Sequence, residues 1–349
     1  MKTFTFGHYL DFSAPWLMAA VLVLLLNIPA LAGTDLTDMA GRRVHIKGKV
    51  NRLVTTFKPA SLMAYCLGLA PKMVGIDTSS KRNPLLKAVY PETCNLTGVG
   101  RKTTGINLET LVGLKPDLVI LYAQKDGIQT AQRLERLNIP SLIIVPESFD
   151  SIKTTLAVMG NATGRKEQAR IVAGQMDQVL DLVAKRLKGL DPKEKKTAYF
   201  AASMDLFSTA TGSMLQHSIF DRAGLTNVAG SLTGYFQKIS PEQFIQWNPD
   251  ILVFSKYTPK TELVHLRGSH LSGTRAVTSK NVFRSPSSLA PWDFPSPMAA
   301  LASLWLAQKA YPQRFSDLDT MKIIDRFHFL LFNKGFTAMG GELDDRVNF

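Results

Sequence analysis

A thirteen-residue sequence pattern occurs twice in the chain and constrains its fold more than any other feature. The copies span residues 109–121 and 242–254, and each predicts a short amphipathic helix led by a glutamate, Glu109 or Glu242. A Pro-Asp pair ends each helix, since proline cannot continue a helix and displaces the residue before it from helical geometry. Four apolar residues follow, as in a strand buried on both faces of a parallel sheet. The same helix–strand unit in both halves of the chain indicates two similar lobes. The alternative is that the pattern recurs by chance.

The remaining pattern favours an α/β fold with mainly parallel sheets. Strands and helices alternate through the first half, and the second half repeats the alternation before two closing helices. The predicted strands are 52–57, 73–77, 118–121, 141–145, 197–201 and 282–284, and the predicted helices are 60–69, 129–137, 214–223, 297–311 and 317–332. Because ligands of such sheets bind outside the carboxyl ends of the strands, we expect the site in the loops that follow them.

The segment between the two halves has helical character. Apolar residues recur there with helical spacing, at Ile171, Val172, Met176, Val179, Leu180, Val183 and Leu187. A helix over 166–188 would be roughly 35 Å long at about 1.5 Å per residue, enough to join two lobes and limit their hinge motion. We therefore divide the chain into a leader at 1–32, an N-terminal lobe at 33–150, a linking helical segment at 151–192 and a C-terminal lobe at 193–349.

The N-terminus predicts export. An apolar stretch over 16–26 is too short to span a bilayer, and Ala30-Leu31-Ala32 has the A-x-A form of a signal-peptidase site. We expect cleavage after Ala32 and an exported mature protein, with an uncleaved anchor as the alternative. The chain's two cysteines, Cys66 and Cys94, would then lie in an oxidising compartment, which permits a disulfide that the sequence cannot decide.

Composition and motifs narrow the function classes. The formal net charge is +13, but the basic residues are spread along the chain without a stripe or aromatic repeat, so we predict no nucleic-acid partner. Phosphate-loop, zinc-protease and nucleophile-elbow motifs are absent from the sequence. The clustered histidines, His217, His265 and His270, lack the spacing of a metal site. If the chain is an enzyme, its catalytic residues do not form a recognisable sequence motif.

Several segments resemble periplasmic substrate-binding proteins of ABC importers for ferric siderophores, cobalamin and haem. The resemblance covers essentially the whole chain after the leader. It is carried by Thr37-Asp38-Met39-Ala40-Gly41-Arg42-Arg43-Val44, similar to the family's opening hairpin, by Leu67-Gly68 with Val74-Gly75-Ile76, by Asn107-Leu108-Glu109 with Lys115-Pro116-Asp117, and by Asn281-Val282-Phe283.

The resemblance implies two α/β lobes joined by one long helix, with the ligand in the cleft between them. It implies no catalysis and no resident cofactor. It also implies that Glu109 and Glu242 form salt bridges to arginines of an inner-membrane permease, which works with an ATPase. A carboxylate in the first turn of a helix is favoured by the helix dipole, so a simple helix-start preference would also place both glutamates. We expect a monomer.

The resemblance also suggests which side chains bind the ligand. The predicted ligand-binding residues are Lys58, Arg82, Arg101, Lys102, Tyr122, Gln124, Met204, Tyr235, Phe236, Tyr257 and Trp292. The four cations among them would favour an anionic ligand. The aromatic residues Tyr235, Phe236 and Trp292 could pack on a bulky chelate or belong to the lobe core. Haem-binding members have a tyrosine where Arg101 stands, which argues against haem.

The sequence therefore predicts a receptor that captures a metal chelate, with a ferric siderophore or other iron complex as the first expectation. Cobalamin and an oxyanion such as molybdate are the alternatives within this class. A periplasmic enzyme that handles metals or chelates, and a sensor partner of a membrane receptor, are the readings outside it.

Overall fold

The computed structural model describes residues 1–3, 33–101, 105–124, 126–203, 205–259, 262, 266 and 270–347. The apolar stretch and the cleavage site that predict a signal peptide lie outside these residues. Within the described ranges, no helix is both long enough and apolar enough to cross a membrane.

The N-terminal half forms an α/β lobe. Its strands are β1 (Thr34–Thr37), β2 (Arg43–Ile46), β3 (Leu53–Thr55), β4 (Met73–Ile76), β5 (Thr97–Gly98), β6 (Gly100–Arg101), β7 (Gly105–Ile106), β8 (Leu118–Tyr122) and β9 (Ser141–Ile144). Its helices are α1 (Lys58–Cys66), α2 (Pro84–Val89), α3 (Leu108–Gly113), α4 (Gly127–Arg136) and α5 (Phe149–Thr163). The central sheet is parallel throughout, in the order β5-β4-β3-β8-β9, with β1–β2 as a separate antiparallel hairpin.

The C-terminal half forms a second α/β lobe after the long helix α6 (Lys166–Arg186). Its strands are β10 (Thr197–Ala201), β11 (Ser208–Thr209), β12 (Thr226–Asn227), β13 (Gln237–Lys238), β14 (Ile251–Phe254) and β15 (Val282–Arg284). Its helices are α7 (Leu215–Arg222), α8 (Pro241–Trp247), α9 (Arg275–Thr278), α10 (Ala299–Ala310) and α11 (Thr320–Phe332). Strands β12, β10, β14 and β15 pair in parallel, and β11 and β13 add an antiparallel edge.

The two copies of the thirteen-residue pattern occupy equivalent positions in the two lobes. Its strand is β8 in the first lobe and β14 in the second, and each pairs in parallel with the first strand of its central sheet, β3 or β10. All four residues of β14 and the first four of β8 are buried. The prediction of two similar lobes with mainly parallel sheets is therefore confirmed.

The aspartate of each Pro-Asp pair connects its strand to the neighbouring strand. Asp117 Oδ2 accepts hydrogen bonds from the backbone N–H groups of Asn51 and Arg52 at 2.8 and 2.9 Å, just before β3. Asp250 Oδ2 accepts from the N–H and hydroxyl of Thr197, at the start of β10, at 2.7 and 2.8 Å. These bonds satisfy backbone donors at the sheet edge, so the recurring aspartate has a structural role.

The linking helix α6 begins at the predicted residue and ends two residues earlier than expected, at Arg186. Helix α5 precedes it and ends at Gly164, whose φ of +71° is the left-handed conformation that glycine adopts most easily. The apolar face of α6 is buried at Val172, Met176 and Val183, whereas Ile171 is exposed, contrary to the prediction. A single hydrophobic cluster includes this face together with residues of both lobes, so α6 is packed along its length.

The two cysteines are not bonded to each other. Cys66 is buried at the end of α1, and Cys94 is exposed; both thiols are free. Burial raises the pKa of the Cys66 thiol, which keeps it protonated and unreactive. The disulfide that the sequence left open is therefore absent.

His328 on α11 is buried among aromatic side chains and should make stability depend on pH. Its Nδ1–H donates to the Ile324 carbonyl at 2.8 Å, and its ring lies 4.9 Å from that of Phe336. Burial lowers the pKa of His328 to about 4, although the hydrogen bond to the Ile324 carbonyl and the nearby Asp325 act in the opposite direction.

We expect the free energy of unfolding to fall as the pH drops from about 6.5 to about 4, because only the unfolded chain takes the proton in that range. The loss from this group is about 1.4 kcal/mol per pH unit and about 3 kcal/mol in total. Urea unfolding at several pH values measures it, and a His328→Gln variant should show a shallower slope. An unchanged slope in the variant would show that other groups cause the effect.

Candidate functional site

A cavity of about 310 Å³ lies between the two lobes. Its first wall comes from residues after the carboxyl ends of β3, β8 and β9, and its second wall from residues in and after β10 and β14. Ligands of parallel sheets bind at this edge, since there the connecting loops leave the sheet. The cavity therefore has the position that the strand pattern predicts for the site.

Aromatic side chains form much of both walls. They are Phe57, Tyr122, Phe200, Phe236, Tyr257 and Phe294. On the first wall, the rings of Phe57 and Tyr122 are stacked with centroids 4.6 Å apart and planes at 12°. On the second wall, Tyr257 and Phe294 meet edge to face at 5.7 Å and 71°. Such pairs hold each other's ring orientation, so the cavity offers flat, rigid apolar surfaces.

A polar network fixes the Tyr122 hydroxyl in the first wall. Tyr122 donates a hydrogen bond to Glu147 Oε1 and accepts one from the Gln124 side-chain amide. All three side chains line the cavity. The network presents a carboxylate, a phenol and an amide side by side, so it can accept from and donate to the same ligand.

Lys58 reaches from the first wall to the second. Its Nζ donates to the Tyr257 hydroxyl at 3.0 Å and lies 4.4 Å from the centroid of the Tyr257 ring and 5.4 Å from that of Phe294. These distances lie within the range of cation–π attraction. Lys58 thus connects the two lobes across the cavity.

Two buried aspartates, Asp77 and Asp293, contribute to the walls. Asp77 accepts hydrogen bonds from the Ser61 hydroxyl at 3.1 Å, from the Ser79 hydroxyl and from the Ser80 N–H at 3.1 Å, which stabilise the loop after β4. On the opposite wall, Asp293 Oδ2 accepts from the Ser255 hydroxyl at 2.6 Å. Burial raises the pKa of Asp293, which favours its neutral, hydrogen-donating form.

Five of the residues predicted to bind the ligand line the cavity, namely Lys58, Tyr122, Gln124, Phe236 and Tyr257. Three come from the first lobe and two from the second. Their contact with a ligand stays a prediction.

The other predicted residues are placed differently. Arg82 is exposed and Tyr235 is 42% exposed, and neither lines the cavity. Trp292 is fully buried and packs on Phe336, so it belongs to the core, the alternative that the sequence analysis left open. Lys102 and Met204 lie outside the described residues, as does the side chain of Arg101, whose backbone is part of β6.

Sequence reasoning missed several lining residues, including Glu147, Asp126, Met214, Gln216 and Phe294. Glu147 could have been found, because it lies three residues beyond the end of β9, at the same sheet edge as Tyr122. Met214 and Gln216 gave no signal, since they lie at the start of a helix and resemble core residues.

Glu109 and Glu242 occupy equivalent positions near the cavity. Each lies in the first turn of its helix, α3 or α8, and is exposed. A helix that leads into a parallel strand runs antiparallel to it, so both helices begin at the sheet edge that borders the cavity. Hydrogen bonding from the Ser240 hydroxyl lowers the pKa of Glu242. Neither carboxylate pairs with a cation among the described side chains, so both face solvent as negative charges.

The described residues contain no group of three or more histidine, cysteine, aspartate or glutamate side chains placed to hold a metal ion. The cavity nevertheless provides hard oxygen donors at Tyr122 and Glu147.

Comparison with known proteins gives a family match. The sequence model of the periplasmic binding protein family matches residues 53–289. The molybdate-binding protein MolA of Haemophilus influenzae is 27% identical over 341 residues, covering 89% of this chain and 94% of that protein. A vitamin B12-binding protein of Yersinia pestis is 25% identical over 244 residues, covering 70% of this chain and 77% of that protein.

Solved structures show the same fold. MolA bound to molybdate aligns with a TM-score of 0.75 at 24% identity, over 86% of this chain and 98% of that one. Helicobacter pylori CeuE, in a nickel–histidine complex, aligns with a TM-score of 0.77 at 20% identity, over 88% of this chain and 98% of that one. At these identities, the structural likeness establishes the architecture alone.

Proposed function

The chain belongs to the periplasmic binding protein family, and we propose that it captures a compact metal chelate and delivers it to an inner-membrane ABC permease with its ATPase. The family and its relatives are solute-binding proteins of ABC importers and not enzymes, which also supports a periplasmic location. The observation that carries the proposal is the aromatic cavity between the two lobes.

The volume of the cavity favours a small ligand. About 310 Å³ is at the lower end of the range of roughly 300–1,000 Å³ that small-molecule sites occupy. Cobalamin, a corrin macrocycle that carries a nucleotide arm, is much larger than this. A ferric chelate is much smaller than cobalamin, and its organic part would pack on the rings of Phe57, Tyr122 and Phe236. The rest of it would extend toward the open side of the cleft, where Phe236 and Tyr257 are partly exposed.

The lining charges favour a chelate over a free ion. Among the described lining residues, Lys58 is the one cation, and the carboxylates are Asp77, Asp126, Glu147 and Asp293. Burial favours the neutral form of Asp293, but Asp77, Asp126 and Glu147 would repel a bare oxyanion, contrary to the anionic ligand that the basic loops suggested. A bare metal ion would need three or four protein ligands, whereas a chelate brings its own. Iron is the metal that we expect, from the resemblance to siderophore receptors.

An oxyanion such as molybdate is the second candidate. The matched relative from Haemophilus influenzae is a molybdate-binding protein that aligns with 89% of this chain. The Lys58 ammonium, the Tyr257 hydroxyl and the Gln124 side-chain amide could donate hydrogen bonds to its oxygens.

Thermal unfolding of the protein from Gly33 onward, with candidate ligands, tests the proposal. The panel contains a ferric trihydroxamate, a ferric catecholate, cyanocobalamin, molybdate and nickel. A ligand at about a hundred times its dissociation constant should add roughly 2.7 kcal/mol of stability. We expect this shift with a ferric chelate. A shift in unfolding temperature with molybdate or cyanocobalamin alone would contradict the proposal that the ligand is a ferric chelate.

A pair of neighbouring variants tests the cavity itself. Phe236 lines the cavity and Tyr235 does not, although the two are equally exposed, at 41% and 42%. Phe236→Ala should weaken ligand binding about 10- to 100-fold, because the contact of a buried phenyl ring is worth about 1.5–3 kcal/mol. Tyr235→Ala should leave affinity within about twofold. Isothermal titration measures both, and equal losses would place the ligand elsewhere.

A further inference from the structure

We propose that Tyr257 and Phe294 form an aromatic cation subsite in the cleft, which the protein's own Lys58 ammonium occupies and which accepts a pendant ammonium group of the captured chelate. This inference rests on the proposed function, and it narrows the ligand to a chelate that carries an alkylammonium arm.

The geometry around the Lys58 ammonium is that of an aromatic cage. The Tyr257 and Phe294 rings meet edge to face at 71°, so they enclose a corner. Lys58 Nζ lies in this corner, 4.4 Å and 5.4 Å from the two ring centroids, and donates to the Tyr257 hydroxyl at 3.0 Å. Two π faces and a hydroxyl acceptor around one ammonium match the way in which proteins recognise alkylammonium ligands.

The position of Lys58 on its own helix does not explain this contact. Lys58 is the first residue of α1, where the helix dipole disfavours a positive charge. The first turn of α1 contains no acidic residue, and its N-cap, Phe57, makes no side-chain hydrogen bond. A lysine is therefore poorly placed for helix stability at this position, and its favourable contacts among the described residues are with Tyr257 and Phe294 on the other lobe.

The surrounding charges also favour a cation. Asp126 and Glu147 line the same cavity from the first lobe. Their charge favours a cation in the cleft, whether it is the Lys58 ammonium or a ligand ammonium that replaces it. The Lys58 chain is flexible and can turn out of the corner, because Tyr257 is 47% exposed and the corner opens to solvent.

Displacement of Lys58 by the ligand also changes the contact between the two lobes. Lys58 belongs to the first lobe, whereas Tyr257 and Phe294 belong to the second. A ligand ammonium in the corner replaces this contact between the lobes by one that passes through the ligand. Lys58 thus competes with a ligand ammonium for the same rings, so removing the Lys58 side chain should strengthen the binding of ligands that carry one.

The first test uses a small cation and its uncharged counterpart, so that it does not depend on the chelate. Lys58→Ala should bind tetramethylammonium at least about tenfold more tightly than tert-butanol, as followed by the NMR signals of the tyrosine rings. The wild-type protein should bind tetramethylammonium about tenfold more weakly than Lys58→Ala, because Lys58 occupies the corner. Adding Tyr257→Leu or Phe294→Leu to Lys58→Ala should remove the preference, whereas adding Tyr235→Leu should not.

The second test uses two ferric trihydroxamates that differ in the ammonium arm. Ferrioxamine B carries a pendant ammonium, and the cyclic ferrioxamine E does not. We expect Lys58→Ala to prefer ferrioxamine B by about tenfold and the wild-type protein to show a smaller preference. Adding Tyr257→Leu to Lys58→Ala should abolish it.

The outcomes separate the two proposals. Tetramethylammonium binding that is absent from Lys58→Ala, or is unaffected by Tyr257→Leu and Phe294→Leu, would overturn the subsite. Equal binding of the two ferrioxamines would overturn the proposal that the subsite binds an ammonium arm of the chelate. The proposal that the protein is a chelate receptor would stand. If neither ferrioxamine binds while tetramethylammonium behaves as expected, the subsite stands and these ferric trihydroxamates are excluded as ligands.

Discussion

Charge reversal at both Glu109 and Glu242 is expected to abolish uptake of the ligand while leaving its affinity for the isolated protein unchanged. The two carboxylates are exposed and lie in the first turns of equivalent helices, one in each lobe. We propose that each pairs with an arginine of the permease. Two lysines would then repel the permease at both docking points, and like charges in contact cost several kcal/mol. Transport in cells or proteoliposomes should fall at least a hundredfold in the double variant.

Matched reversals on the same lobes provide the control for this experiment. Glu135 in the first lobe and Glu342 in the second are exposed glutamates that do not line the cavity. The Glu135→Lys/Glu342→Lys protein carries the same change in net charge, so it should transport normally. A large loss of ligand affinity in the Glu109→Lys/Glu242→Lys protein, or equal transport loss in the control, would contradict the docking role.

Asp38→Ala is expected to cause the largest loss of stability of the changes considered. The side chain of Asp38 is fully buried and accepts four hydrogen bonds, from the N–H groups of Ala40, Arg42 and Ile143 and from Arg42 Nε, at 2.9–3.1 Å. Arg42 Nη2 in turn donates to the Ser141 carbonyl at 2.8 Å. The carboxylate thus attaches the opening hairpin to strand β9.

Removing this carboxylate would leave three N–H groups and a guanidinium without their acceptor. The free energy of unfolding should fall by about 3–5 kcal/mol, the usual cost of breaking a buried ion pair by deleting one partner. Urea unfolding measures the shift in midpoint, with an unchanged slope as the sign that only stability has changed. Asp35→Ala, which removes an exposed partner of His45 from the same hairpin, should have little effect. Similar losses in the two variants would show that the buried network is not decisive.

The elements of the fold were predictable because their signals are local. Strand 197–201 was predicted at its observed bounds, and helix α6 within two residues, since a buried run or an apolar stripe belongs to consecutive residues. The short strands β5, β6, β7, β11, β12 and β13 were not predicted. Two-residue strands carry no periodicity, and they form because a partner strand lies alongside them.

The candidate site was predictable only in part. The family resemblance suggested Lys58, Tyr122, Gln124, Phe236 and Tyr257, which line the cavity, and the rule that ligands bind beyond strand ends would also have found Glu147. The resemblance also suggested Trp292, which the structure places in the core. The number of residues between a side chain and the end of a strand indicates how close it lies to the ligand-binding edge of the sheet. The direction of the side chain, however, depends on packing against other elements.

By itself, the sequence determined the two-lobe α/β plan, the long helix between the lobes and the matched positions of Glu109 and Glu242. Each depends on residues close together in the chain, whose spacing fixes which face is buried. Only the tertiary structure decided which side chains share the cleft and what charge they bring to it. Lys58 and Tyr257 are 199 residues apart, and their contact depends on how two separately folded sheets are oriented by the packing of α6. That orientation is a sum of many contacts along the shared core, and no local pattern records it.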